Sequence, residues 1–430
     1  MKNINKLLGL IFISALLVFT SCEDRSDLTE PALPNTGSAD FTRFVCLGNS
    51  LTQGEQSNSV YESAQEYSFG NLIAKQVGTT YAQALFSDPG SGGRIEVETI
   101  SPFKTKINTA TGTPINLTYA APYNNLGVKG AFLYDLLFTT TASNCYTSQA
   151  PMNTPNAMFD AVLRGLGTQV HQAVLQHPTF ATVWIGNNDI LAYATRGGLF
   201  PVTSMDNFQL WYNAILDSLS AIGTKVVVAN IPDVTSIAYL NTVGPTLLAS
   251  GINVVWGTNA LNEVVPIDLT KNLLTLTAQA ELAVGKGLSQ TNPLPNGVIL
   301  DESEILIAKQ VVAGYNQIIS GVAAAHGFAV VDINALLTQA STTGITYDGI
   351  KFTAQYVQGG LFSLDGVHPT SQGYAIIANE FIKVINTKYS ASIPQINIAT
   401  IPGSLVLGKI SFGKNGLPIF PIGTFDHILF

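Results

Sequence analysis

The chain holds five histidines, His171, His177, His326, His368 and His427, and one of them stands in a setting suited to proton transfer. His368 lies in Ser363-Leu364-Asp365-Gly366-Val367-His368-Pro369. Asp365 is three residues upstream, so one turn of chain can bring its carboxylate to the imidazole. A carboxylate so placed fixes the ring tautomer and stabilises the imidazolium formed when the ring takes a proton. The other four read as surface or capping residues. A hydroxyl for such a base to act on is Ser50, in Gly48-Asn49-Ser50-Leu51-Thr52. It follows the apolar run Phe44-Val45-Cys46-Leu47, with Gly48 allowing a tight turn that throws the serine out at a strand end. A third segment, Val183-Trp184-Ile185-Gly186-Asn187-Asn188-Asp189, also runs from a strand into a turn, where an asparagine amide can face a developing oxyanion. The fourth, Asn125-Leu126-Gly127-Val128-Lys129-Gly130-Ala131, offers unobstructed backbone N–H groups at Gly127 and Gly130, and the spacing from Asn125 favours Gly130. Each segment alone is ordinary, since a turn serine is usually a cap or turn former.

Other chemistries find no support. The Gly-x-Ser-x-Gly elbow is absent, as are metal-ligand spacings of Cys and His, a Walker-type phosphate loop and a His-Glu-x-x-His pair. In order along the chain, Ser50 after the first strand, Gly130, Asn188 in Gly-x-Asn-Asp, and Asp365 with His368 resemble the four blocks of the SGNH, or GDSL-type, hydrolases, over about residues 41–388. The resemblance implies a flavodoxin-like three-layer α/β/α sandwich with a central parallel sheet, and hydrolysis of carboxylic esters without a cofactor or metal. Residue by residue it implies Ser50 as nucleophile, His368 as general base and then acid, and Asp365 as the group that orients His368. The oxyanion hole would comprise the Ser50 N–H, the Gly130 N–H and the Asn188 side chain. Asn49 departs from the family's Asp, at a position that supports the turn. Three readings follow: an esterase or lipase on small-molecule or lipid esters, a carbohydrate O-acetylesterase, and a surface-binding lipoprotein that keeps the fold without the activity.

The elements that must position these residues alternate. Strands are expected over 41–47, 94–100, 180–185, 225–231 and 328–333. Helical periodicity covers 67–77, 156–176, 206–222, 302–325, with Asp301 and Glu304 as its capping box, and 371–385. Strands apolar throughout, alternating with helices, indicate a parallel sheet covered on both faces, with its site at the carboxyl ends of the strands. Residues 41–390 form the hydrolase domain. Two parts exceed a minimal sandwich: an insertion over 238–300, long enough to be functional or a subdomain, and an apolar C-terminal extension over 391–430.

Composition and the amino terminus bound the setting. Apolar residues make up 46% and charged residues 11%, with a net charge of −8. This excludes disorder, and the lack of any basic run argues against nucleic acid. Lys2 and Lys6, the apolar stretch 7–19, and Thr20-Ser21 before Cys22 form a secretory signal. The placement of Cys22 resembles a bacterial lipobox. That resemblance implies cleavage after residue 21, lipidation of Cys22, a flexible tether over 22–40, and a secreted protein held at the outer membrane or cell surface. Cys46 reads as a buried small hydrophobe; a pairing with Cys145 has no pattern behind it.

Overall fold

The computed structural model describes residues 34–101 and 103–403, and the backbone of Ser411–Phe412 and Pro418–Ile419, which pair antiparallel. The signal segment, Cys22, His427 and most of the chain past Gly403 lie outside the described residues. Four short strands carry the apolar runs: β1 (Phe44–Gly48), β2 (Phe180–Trp184), β3 (Lys225–Ala229) and β4 (Ala329–Val331). All pair in parallel, in the order β1-β2-β3-β4. Every residue of β1 and β2 is buried, as expected of strands covered on both faces. Beyond β1 the chain adds a strip. Cys46 N–H donates to Asn124 O at 2.8 Å and Leu126 N–H to Cys46 O at 2.9 Å, so 124–126 runs parallel to β1. On its other side the Asn124 and Asn125 N–H groups donate to Ala82 O, at 2.9 and 3.0 Å, so residues 82–83 lie beyond the strip and extend this parallel α/β layer.

Five helices flank the sheet: α1 (Phe69–Val77), α2 (Gln169–Leu175), α3 (Met205–Ser220), α4 (Glu302–Ala325) and α5 (Ser371–Tyr389). Phe69 and Phe381 stack at 4.9 Å, joining α1 to α5, while Phe208 and Tyr315 stack at 3.8 Å, joining α3 to α4. Asp301 Oδ1 accepts the Glu304 N–H, and the Glu304 carboxylate accepts the Asp301 N–H, completing the expected capping box of α4. Ordered burial of this kind, rather than propensity, stabilises helices of such length.

Several expectations change. The 156–176 helix is two helices, Met158–Leu163 and α2, because Arg164, Gly165 and Gly167 all take positive φ. Strand 94–100 exists, but it forms an antiparallel hairpin with Phe103–Asn108 outside the parallel sheet. Arg94, Glu96 and Glu98 make one of its faces charged, which a doubly covered sheet cannot take. The chain expected to be a loose tether up to Asp40 is docked from Asn35: Ser38 N–H donates to Tyr389 O and Ser392 N–H to Asn35 O, both at 2.8 Å. Residues 238–300 carry their own apolar cluster, built from Val243, Val255, Ile267, Leu274, Leu294 and Ile299. After α5 the chain turns back along that helix, with Ile393, Ile396 and Ile398 buried. Cys46 and Cys145 are buried free thiols.

Candidate active site

Three of the four chemical segments lie at carboxyl ends of the parallel sheet or its edge strip, and hydrogen bonds tie them together. Gly48 ends β1. A Cβ there would stand 2.4 Å from Trp184 O and 2.1 Å from the Thr52 hydroxyl, so the residue serves close approach to β2 rather than turn geometry. Asn49 caps the one-turn helix Ser50–Gln53 by accepting the Leu51 N–H at 3.0 Å. Its amide donates to Asn187 Oδ1 at 3.2 Å, joining the serine turn to the Gly-Asn-Asn-Asp turn. An amide at this position therefore does the supporting work expected of the family's carboxylate.

Ser50 sits at the first residue of its helix, 5% exposed. Its hydroxyl is 2.8 Å from His368 Nε2, and His368 Nδ1 is 2.8 Å from Asp365 Oδ2. Because the carboxylate accepts from Nδ1, that nitrogen carries the proton and Nε2 presents its lone pair to the serine hydroxyl. Asp365 also accepts the backbone N–H groups of Val367 and His368 through Oδ1, at 2.8 Å each, and that of Asn58 through Oδ2 at 2.6 Å. Burial alone would raise the Asp365 carboxyl. The His368 charge and this array of donors outweigh it and hold the group at about 2. Burial likewise works against a charged ring at His368, but the carboxylates of Glu55 and Asp365 prevail and raise it above its ordinary value.

Gly130 sits in the turn closed by Ala131 N–H to Val128 O at 3.0 Å, at φ +78°, a conformation that favours glycine. Among the described residues its N–H has no partner, and neither has that of Ser50. The Gly127 N–H is already donated to Asn125 Oδ1 at 3.0 Å, which separates the two glycines. The Asn188 amide donates to Ala131 O at 2.8 Å, so it stands against the same turn with a second N–H to spare. Asp189 is a brace: its carboxylate accepts the Leu133 N–H at 3.0 Å and the Thr203 hydroxyl at 2.6 Å, and burial pushes its carboxyl up to about 6.

One group escaped the sequence reading. Glu55, 1% exposed, places Oε2 3.4 Å from His368 Nε2, while Oε1 lies 2.7 Å from Lys129 Nζ. A buried acid five residues after the serine was a visible signal, but nothing in its spacing pointed to the histidine. Glu55, Asp365 and His368 are the one described group whose ligand atoms converge as a metal site would require. Both ring nitrogens are already engaged, and the Lys129 ammonium occupies the position of a cation beside Glu55, so the cluster handles protons. His171, His177 and His326 take no part; His326 pairs with Asp217 at 3.1 Å.

A serine hydroxyl, an oriented imidazole and N–H groups left without partners stand near the carboxyl ends of a parallel sheet, a set of groups suited to acyl transfer. The sequence profile of the GDSL-like lipase/acylhydrolase family matches residues 44–381, and the chain belongs to that family. Similar solved structures include a lipase/acylhydrolase from Enterococcus faecalis, at 12% identity and a TM-score of 0.34, covering 82% of this chain and 98% of that one. A mutant of an acetyl-xylooligosaccharide esterase from Geobacillus has 9% identity and a TM-score of 0.36, covering 81% and 96%. An extracellular lipase from Streptomyces rimosus has 16% identity and a TM-score of 0.32, covering 81% and 99%. No curated protein sequence matches the chain.

Proposed function

We propose that the protein hydrolyses carboxylic esters through an acyl-enzyme on Ser50. The observation that carries this reading is the unbroken chain Asp365–His368–Ser50, with both links at 2.8 Å. Ser50 Oγ attacks the ester carbonyl carbon while its proton passes to His368 Nε2. The carbonyl oxygen becomes an oxyanion, received by the Ser50 and Gly130 N–H groups and by the Asn188 amide. Donors of this kind are worth about 10²–10³ each in rate. Collapse of the intermediate breaks the bond to the alcohol oxygen, which takes the proton from Nε2. Water, deprotonated by the same ring, then releases the acid and restores Ser50. Asp365 stays ionised throughout, as its low pKa requires.

The substrate is a small-molecule or lipid ester. Placing the enzyme at a membrane surface through a lipidated Cys22 is part of the same proposal, supported by the order of charge, apolar run and cysteine in residues 1–22. The test is direct. Wild-type protein should turn over p-nitrophenyl acetate and take a fluorophosphonate label on Ser50, and Ser50→Ala should lose the label and at least about 10³-fold in kcat/KM. Turnover of Ser50→Ala at the wild-type rate would overturn the assignment.

A further inference from the structure

Glu55 lies outside the four segments, yet its carboxylate faces the nitrogen that receives the serine proton. Asp365 supports the far side of the ring, at Nδ1. Glu55 Oε2 stands 3.4 Å from Nε2, on the near side with Ser50 Oγ. Its backbone is pinned at both ends: its N–H donates to Ser50 O at 3.1 Å, and its carbonyl accepts the Tyr374 hydroxyl of α5 at 2.7 Å. A buried carboxylate carries a large desolvation cost unless a cation compensates it. The compensation comes from Lys129, which also donates to Asn58 O at 2.6 Å and whose next residue is Gly130. The lysine thus joins the histidine's environment to the turn that offers an N–H to the oxyanion.

The charged groups facing His368 are Asp365 on its own turn, Glu55 from the segment after Ser50, and Lys129 from the Gly130 turn. Tyr374 on α5 donates to Glu55, and Tyr61 and Tyr356 feel the charge of Asp365. Of the three charges, Glu55 favours the imidazolium as Asp365 does, and Lys129 opposes it. We propose that Glu55 and Lys129 are positioning residues that set the basicity of His368 against each other: Glu55 stabilises the imidazolium formed during acyl transfer, and Lys129 limits how far it does so. Without Lys129, the ring would stay protonated toward neutral pH and could not accept the serine proton. Without Glu55, the ring would be a weaker base in the acylation step. The raised pKa of His368 agrees with the first-named role prevailing.

The inference rests on the reading of Ser50 and His368 above, and the experiment separates the two. The rate of fluorophosphonate labelling and kcat/KM for p-nitrophenyl acetate are measured from about pH 5 to 9 for wild type, Glu55→Gln, Lys129→Met and Lys129→Arg, with folding confirmed by circular dichroism. In Glu55→Gln the rate near pH 8 falls about 10-fold, and the ratio of the rate near pH 5.5 to that near pH 8 rises about 3-fold or more, because the ring stays neutral to lower pH. In Lys129→Met the acid limb moves the opposite way and the same ratio falls. Lys129→Arg keeps the charge and the wild-type limb. Variants that lose activity equally at every pH, or whose limbs move in the same direction, overturn the inference and leave Glu55 as structural support. A wild-type protein that takes no label at Ser50 instead overturns the functional reading on which it rests.

Discussion

At the scale of single residues, the site is organised by how many donors reach each carboxylate. Asp365 receives backbone N–H groups from Asn58, Val367 and His368 as well as the imidazole. Its ionised form is therefore favoured in the folded state far more than in an open chain. The sign follows from linkage. A carboxyl near 3.8 unfolded and about 2 folded contributes stability that is present above the unfolded value and lost as pH falls toward the folded one. The size is about 2–3 kcal/mol, from roughly two pH units at 1.36 kcal/mol each. Asp365→Asn removes the charge and one acceptor. Its unfolding free energy, measured in urea, should fall below that of wild type by about 2–3 kcal/mol near pH 5, with the gap closing as pH approaches 2 and the native carboxyl takes its proton. A gap constant across that range would mean that the carboxylate charge is not what the donors stabilise. Asp365, His368 and Ser50 were legible in the sequence because their segments stand in the order of the GDSL-type family's blocks, although each alone is an ordinary turn. Glu55 was not. A buried acid next to a catalytic ring looks like any other acid until the fold places it, and its meaning lies in Lys129, 74 positions further on.

At the scale of elements, the parallel sheet aligns three segments and a turn completes the site. Apolar runs announced β1, β2 and β3 because strands covered on both faces need no alternation. The hairpin 94–108 was misplaced because a single strand's pattern does not state which sheet it joins. The break in the 156–176 helix rests on the positive φ of Arg164, Gly165 and Gly167, which apolar periodicity does not register. The turn that carries Asp365 and His368 has its own constraint. Gly366 takes φ +71°, and a Cβ there would stand 2.8 Å from Tyr239 N, whose N–H donates to Gly366 O at 2.8 Å. Tyr239 is the second residue of the 238–300 insertion, so that segment buttresses the turn carrying Asp365 and His368. Gly366→Ala combines backbone strain of about 1 kcal/mol with a collision against main chain, which cannot give way as a flexible side chain would. Displacing His368 by about 1 Å is enough to cost about 10²-fold in kcat. The expected result is a fall of that order in kcat with KM little changed and melting lowered by only a few degrees. A variant with wild-type kcat would show that the turn does not depend on its contact with the insertion.

At the scale of the whole molecule, the hydrolase domain and the amino-terminal segment answer different physical demands. The domain is held by a continuous apolar core that includes all four strands and the inner faces of α1 to α5. Among the described residues no helix is long and apolar enough to cross a membrane, and the proposed attachment is through Cys22. From Cys22 to Asn35, where the described chain docks against the end of α5, there are 13 residues, a reach of at most about 45 Å when fully extended. A single acyl chain gives only marginal and reversible membrane binding, and stable anchoring takes two or more, each buried methylene adding about 0.8 kcal/mol. On the proposed reading, lipidation of Cys22 is what would hold the protein at the membrane. Cys22→Ala, expressed with its signal segment in a bacterial host, should move the protein from the membrane pellet to the soluble fraction. Its specific activity on p-nitrophenyl acetate should match wild type, because the hydrogen bonds that hold Ser50, His368 and Asp365 all come from described residues of the domain. Retention of Cys22→Ala in the pellet would place the anchor elsewhere in the chain and remove the lipoprotein reading, while leaving the chemistry at Ser50 untouched.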